Sequence, residues 1–207
     1  MSVAGSDLTA PILLMAMPQV LDPFFHRSVV LLLHHESEGS FGFIVNRPTG
    51  IKVSEILKGM DVSWQGKDEE VAFFGGPVQP QIGTVLFAPA LAGNGHAGLA
   101  AGKTEEEDSA TEVIPGVALT QHIGDLSRLA EAPPEDFRLI LGYAGWGEGQ
   151  LMEEILRNDW LTAPASSDLI FYPDPERIWD AALRSVGIDP ANLPSWVPGG
   201  TSEESAN

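Results

Sequence analysis

The sequence predicts a single domain of the α+β class, and three observations carry that prediction. The chain has 207 residues, 43% of them hydrophobic, which is enough for one sizeable core. Its apolar runs, such as Pro11 to Pro18 and Ser28 to Leu33, are closed by Pro or polar residues and have the length of strands rather than of membrane spans. Between the strands lie segments whose apolar residues recur three and four apart, the spacing of half-buried helices. Residues 11–196 are expected to form this domain, after a flexible terminus at 1–10 and before an acidic, disordered tail at 197–207.

Ile12 to Met17 reads as a buried strand closed by Pro18. Asp22 suits an N-cap and Pro23 a first helical position, so one helical turn should follow, anchored to the core by Phe24 and Phe25. Ser28 to His35 is continuously hydrophobic, which predicts a strand covered on both faces. Ser37-Glu38-Gly39 turns it into a hairpin with Phe41 to Asn46. Arg47-Pro48-Thr49-Gly50 ends that strand. Ser54 to Met60 makes a short helix with Ile56 and Leu57 inward and Gly59 near its end.

A polar loop from Asp61 leads to a strand, Val71 to Phe74, and to the sharp backbone feature Gly75-Gly76-Pro77. Thr84 to Phe87 is the next strand. Residues 89–116 are rich in Ala, Gly and acidic side chains and should bury little; near 92–112 they form a mobile excursion within one domain. Val117 to Leu119 resumes the sheet. Thr120 caps a helix through Ala130, with Ile123, Leu126 and Leu129 on its apolar side. Phe137 to Leu141 is a buried strand, followed by a glycine-rich turn carrying Trp146. A helix from Gln150 to Arg157 follows, on which Leu151 and Ile155 share a face. Leu169 to Tyr172 is read as the last strand, and Pro175 to Val186 as a final amphipathic helix stopped by Gly187.

Charge and composition exclude several functions. The net charge is −18, from 29 acidic against 11 basic residues, and the lysines at 52, 58, 67 and 103 are scattered. Direct nucleic-acid binding is not expected, because that affinity rests on Lys and Arg neutralising phosphates. The absence of cysteine removes disulfides, thiolate catalysis and cysteine metal sites, and fits the cytoplasm. The N-terminus lacks a basic segment followed by a long apolar one, so no signal peptide or membrane association is expected.

Catalytic signatures are equally sparse. His34 and His35 are strand neighbours and face opposite ways, and no His-Glu-x-x-His pattern occurs, so no metal is expected. Gly142 to Gly149 is glycine-rich between a strand and a helix, but it has neither the P-loop ending nor dinucleotide spacing, so no cofactor is expected. No Gly-x-Ser-x-Gly elbow supports a serine hydrolase. The adjacent carboxylates Glu153 and Glu154 diverge on their helix. What remains is a polar set around Asn46, Arg47, Gly75, Gly76, Trp146, Gln150 and Glu154. Arg47 closes an apolar strand, where it can fork onto Glu154 or Glu148 and pin a loop, or await an anionic ligand.

Several separate stretches, PILLMAMPQVLDPFFHRSVVLLLHH, GSFGFIVNRPTG, FFGGPVQP and LGYAGWGEGQLMEEILRNDWL, resemble the YqgE/AlgH family of bacterial proteins in family order. The resemblance spans about Pro11 to Leu193 and departs mainly near 92–112 and in the tail. It implies an α+β domain with a bifurcated, partly barrel-like mixed sheet surrounded by helices. It implies no established activity; members have been called transcriptional regulators by association. The leading expectation is a non-enzymatic protein of regulatory or interaction type with a protein partner. The alternative is a small-ligand binder or enzyme with its site at the polar set around Arg47 and Trp146.

Overall fold

The structure, a computed structural model, describes residues 8–89 and 110–194. Its frame is one ten-stranded sheet. The strands are β1 (Ile12–Ala16), β2 (Val29–Glu36), β3 (Gly39–Ile44), β4 (Pro48–Lys52), β5 (Val71–Phe74), β6 (Val78–Phe87), β7 (Thr111–Ile114), β8 (Val117–Thr120), β9 (Phe137–Trp146) and β10 (Trp160–Pro164). The helices are α1 (Val53–Lys58), α2 (Ile123–Glu131), α3 (Gln150–Leu156), α4 (Ser167–Ile170) and α5 (Ile178–Ser185).

The main path runs β10-β1-β2-β3-β9-β6-β8-β7, and β9 is where it forks. The C-terminal end of β9 pairs with β3 through Ala144, Gly145 and Trp146. Its N-terminal half pairs antiparallel with β6 from Phe137 to Leu141, while Ile140 and Leu141 also pair with β5 in parallel. β5 in turn carries β4. One strand thus serves two branches, and the sheet curls into a half-barrel. The α+β class and the bifurcated sheet implied by the resemblance are therefore both present.

Hydrophobic burial follows the fork. Leu13, Met15, Leu31, Phe43, Phe73 and Ile140 form one core with α5, whose Ile178, Trp179, Ala182 and Leu183 face inward. Val53 and Leu57 of α1 meet Leu126, Leu129 and Ala130 of α2 across Val85, Phe87 and Leu139 in a second. Leu14, Val30, Ile44, Trp146, Leu151 and Trp160 make a third. Val29 to Leu32 are fully buried, so the first half of β2 is covered on both faces, as its unbroken hydrophobicity predicts.

Several sequence expectations change in the structure. Leu169 to Tyr172 is not a strand: α4 occupies Ser167–Ile170, and the last strand is β10. β10 includes Asp159's neighbour Trp160 and ends at Pro164, which sits on the sheet edge, where a proline costs no ladder bond. Gly142 to Trp146 is strand rather than turn, because β9 runs on to pair with β3. Pro48 to Lys52 is strand β4. Helix α2 is capped by His122, whose Nδ1 accepts from the Gly124 amide at 3.3 Å, and not by Thr120. Thr120 instead accepts from the His122 amide at 3.1 Å and bonds the buried Asp125 carboxylate at 2.7 Å. The excursion near 92–112 and the tail from 197 lie almost wholly outside the described residues, but Thr111 and Glu112 already belong to β7.

Candidate functional site

The polar set singled out in the sequence gathers around the turn Asp22 to Arg27. Asp22 Oδ1 accepts from the amides of Phe24 at 2.8 Å and Phe25 at 3.2 Å, the capping its position predicts. Phe25 packs against two indoles, 5.7 Å edge-on from Trp160 and 6.3 Å from Trp146, which are themselves 5.7 Å apart. Phe24 stays 46% exposed and stacks on Phe74. Glu154 ties the aromatic cluster together. Its Oε2 accepts from Trp146 Nε1 at 2.9 Å and Trp160 Nε1 at 2.8 Å, and its Oε1 accepts from Gln150 Nε2 at 2.9 Å. Gln150 Oε1 accepts from the Gly147 amide at 3.1 Å.

The other members of the set also bond within the chain. Buried Asn46 accepts from the Val29 amide at 2.8 Å and donates to the Arg27 carbonyl at 2.9 Å. Arg47 donates from Nη2 to the His26 carbonyl. The expected fork from Arg47 onto Glu154 or Glu148 is absent, because Glu154 is engaged by the two indoles and Gln150 and Arg47 turns to the 22–27 turn instead. Gly75 and Gly76 allow β9 to approach. A Cβ at Gly75 would lie 2.3 Å from the Gly142 carbonyl oxygen, and one at Gly76, where φ is +149°, 2.2 Å from that of Tyr143. Trp146, Gln150 and Glu154 thus bond one another at the start of helix α3, Asn46 and Arg47 hold the 22–27 turn, and Gly75 and Gly76 pack against β9 at the fork of the sheet.

Among the described residues, two of the concave surfaces that lie elsewhere bear on function. The first is an apolar groove of about 380 Å³ between α1, α2 and the middle of β6. Leu57, Val85, Leu126 and Leu139 form its floor, and Met60, Ile82 and Ile123 stand on its rim at 49%, 40% and 48% exposure. Ile123, expected on the apolar side of its helix, is on that side but uncovered. Gln121 closes one end, donating to Thr84 Oγ1 at 2.7 Å.

The second is a charged cleft of about 350 Å³ beside the start of β9. Arg138 is its base, 5% exposed, with its guanidinium 4.5 Å over the Phe73 ring. It donates to the Val45 carbonyl from Nη1 and to the Tyr172 carbonyl at 3.0 Å from Nη2. Burial lowers the Arg138 pKa to about 10, partly offset by Glu70 and Asp136, so it remains a cation at neutral pH. Desolvation raises the carboxyls of Glu70 and Asp136 above their ordinary values. Sequence reasoning passed over Arg138, although a lone charge inside the apolar run from Phe137 to Leu141 was a visible signal. The groove had no such signal, since its three rim residues come from segments far apart in the chain.

Among the described residues there is no group of three or more His, Asp or Glu placed to hold a metal ion, and no helix long and apolar enough to cross a membrane.

A family model described as AlgH-like matches residues 13–191. A protein of Myxococcus xanthus designated a UPF0301 protein is 38% identical over 185 residues, covering 89% of this chain and 94% of its own. One of a Jannaschia species is 40% identical over 192 residues, covering 91% and 93%. The solution structure of the AlgH protein from Pseudomonas aeruginosa matches with a TM-score of 0.66 at 30% identity over 89% of this chain and 94% of that one. A crystal structure of a Corynebacterium diphtheriae protein shares the fold at a TM-score of 0.68 and 21% identity, covering 92% of both chains.

Proposed function

The chain belongs to the AlgH-like family, and on that premise we propose that it is a non-enzymatic cytoplasmic protein of regulatory or interaction type. In this reading the groove between α1, α2 and β6 takes up a short apolar segment of a partner protein. The observation that carries it is the convergence of Met60, Ile82 and Ile123, each 40–49% exposed, on the rim of one apolar groove. Singly exposed apolar residues are ordinary, but three around a preformed concavity describe a surface that gains by being covered.

Charge selects the occupant. A chain of net charge −18 attracts a segment whose apolar face is flanked by Lys or Arg, and repels acidic ones. An amphipathic helix laid in a groove places side chains at i, i+3, i+4 and i+7 against such a floor. The same charge disfavours phosphate, so a regulatory role would run through a protein partner and not through direct contact with a duplex.

A fluorescently labelled amphipathic Leu/Lys peptide, titrated by anisotropy, tests this. The wild type should bind saturably, and Ile82→Glu with Ile123→Glu should weaken binding at least about tenfold. Those substitutions add negative charge, so attraction by charge alone would leave the variant binding as well or better, and that result would overturn the proposal.

A further inference from the structure

We propose that the cleft over Arg138 is a binding site for a small zwitterion of the α-amino acid class, with the ligand carboxylate on the Arg138 guanidinium and its ammonium between Glu70 and Asp136. The site is distinct from the apolar groove and does not depend on what the groove binds.

Arg138 is the anchor. It is 95% buried by the complement of its 5% exposure, yet among the described residues no carboxylate lies within ion-pair distance of it. A buried cation is normally paired, because removing it from water is costly. Two of the five guanidinium N–H groups serve the carbonyls of Val45 and Tyr172, which leaves three, five minus two, beyond that clamp. The clamp and the Phe73 ring fix the plane of the guanidinium, so a carboxylate can meet it without the ordering a free arginine would require.

The rim decides the rest of the ligand. Lys67 and Arg138 line the cleft together with Glu69, Glu70, Glu135 and Asp136, a balance of two positive against four negative charges. A simple anion reaching Arg138 would pass those carboxylates, and a simple cation would meet the guanidinium. A molecule carrying both charges a few bonds apart satisfies both sets. The volume, about 350 Å³, is at the small end of ligand sites and suits a molecule of that size. An ammonium beside Glu70 and Asp136 would also offset the burial that disfavours their charged forms.

Thermal shift and calorimetry on the full chain test the site, with the twenty free L-amino acids each offered up to about 10 mM, a concentration that detects even millimolar affinity. At least one should raise the melting temperature in a dose-dependent way. Its N-acetyl and carboxamide forms, and acetate and ethylamine separately, should bind at least about tenfold more weakly, because each lacks one charge. Glu70→Gln with Asp136→Asn, both at the half-buried rim, should weaken the same ligand at least about tenfold. Arg138→Lys should do so too; if that variant does not fold, the rim pair decides alone. The proposal is overturned if no free amino acid binds, if acetate or ethylamine binds as well as the zwitterion, or if the rim variant keeps wild-type affinity.

Discussion

Replacing Glu154 with alanine is the sharpest perturbation of the neighbourhood around the 22–27 turn. In the native chain one carboxylate oxygen accepts from both Trp146 and Trp160, at 2.9 and 2.8 Å, and the other from Gln150 at 2.9 Å. The two indoles are only 6% and 5% exposed, so once the carboxylate is gone their N–H groups depend on whatever water enters the space it leaves. An unsatisfied buried donor costs about 1–3 kcal/mol, which for two gives roughly 2–6 kcal/mol. Glu154 itself is only partly buried, and water entering the space it vacates places the expectation at about 2–4 kcal/mol. Glu154→Gln keeps an oxygen for the indoles and should cost less, about 1 kcal/mol. Urea unfolding followed by tryptophan fluorescence measures both, compared at equal m-value. A midpoint for Glu154→Ala within about 0.5 kcal/mol of wild type would refute the reasoning, because it would mean that the indoles find other partners.

Arg47→Ala should cost only about 0.5–1.5 kcal/mol in the same assay, since it removes one bond to the His26 carbonyl and strands no carboxylate; a loss above about 3 kcal/mol would point to a buried ion pair instead. Gly76→Ala should lose at least about 2–4 kcal/mol, since its Cβ would stand 2.2 Å from the Tyr143 carbonyl oxygen on a strand that cannot withdraw from the fork; an unfolding midpoint equal to wild type would contradict this. Glu70 and Asp136 have pKa values raised chiefly by burial, so the folded state holds protons that the unfolded chain releases. Their contribution to stability is present at acid pH and is lost as pH rises above the ordinary carboxyl values of 4.5 and 3.8. Glu70→Gln with Asp136→Asn should therefore flatten the decline in stability above about pH 4, and an unchanged pH profile would contradict the assignment.

The sequence made the strand cores legible because burial on both faces leaves unbroken apolar runs, as from Val29 to Leu32. It also made the 22–27 turn legible, through Asp22 and Pro23. Leu169 to Tyr172 misled because four apolar residues with no periodicity fit a buried helix end as well as a strand, and Ile170 is indeed fully buried in α4. The extension of β9 through Gly142, Ala144 and Gly145 was hidden because its small residues are needed for contact with other strands, a tertiary demand that local propensity does not record. For the candidate set, Arg47 could be placed at a strand end, but its bond to the His26 carbonyl could not be read. The groove depends on Met60, Ile82 and Ile123 meeting in space, which only the fold reveals.

Methyl-resolved NMR with the amphipathic Leu/Lys peptide tests the central claim most directly. The account predicts saturable shifts confined to the methyl groups lining the groove, those of Leu57, Met60, Ile82, Ile123, Leu126 and Leu139 foremost, with those of Leu13, Leu31 and Leu183 in the opposite core unmoved. Shifts spread evenly over the acidic surface, or centred away from these six residues, would contradict it.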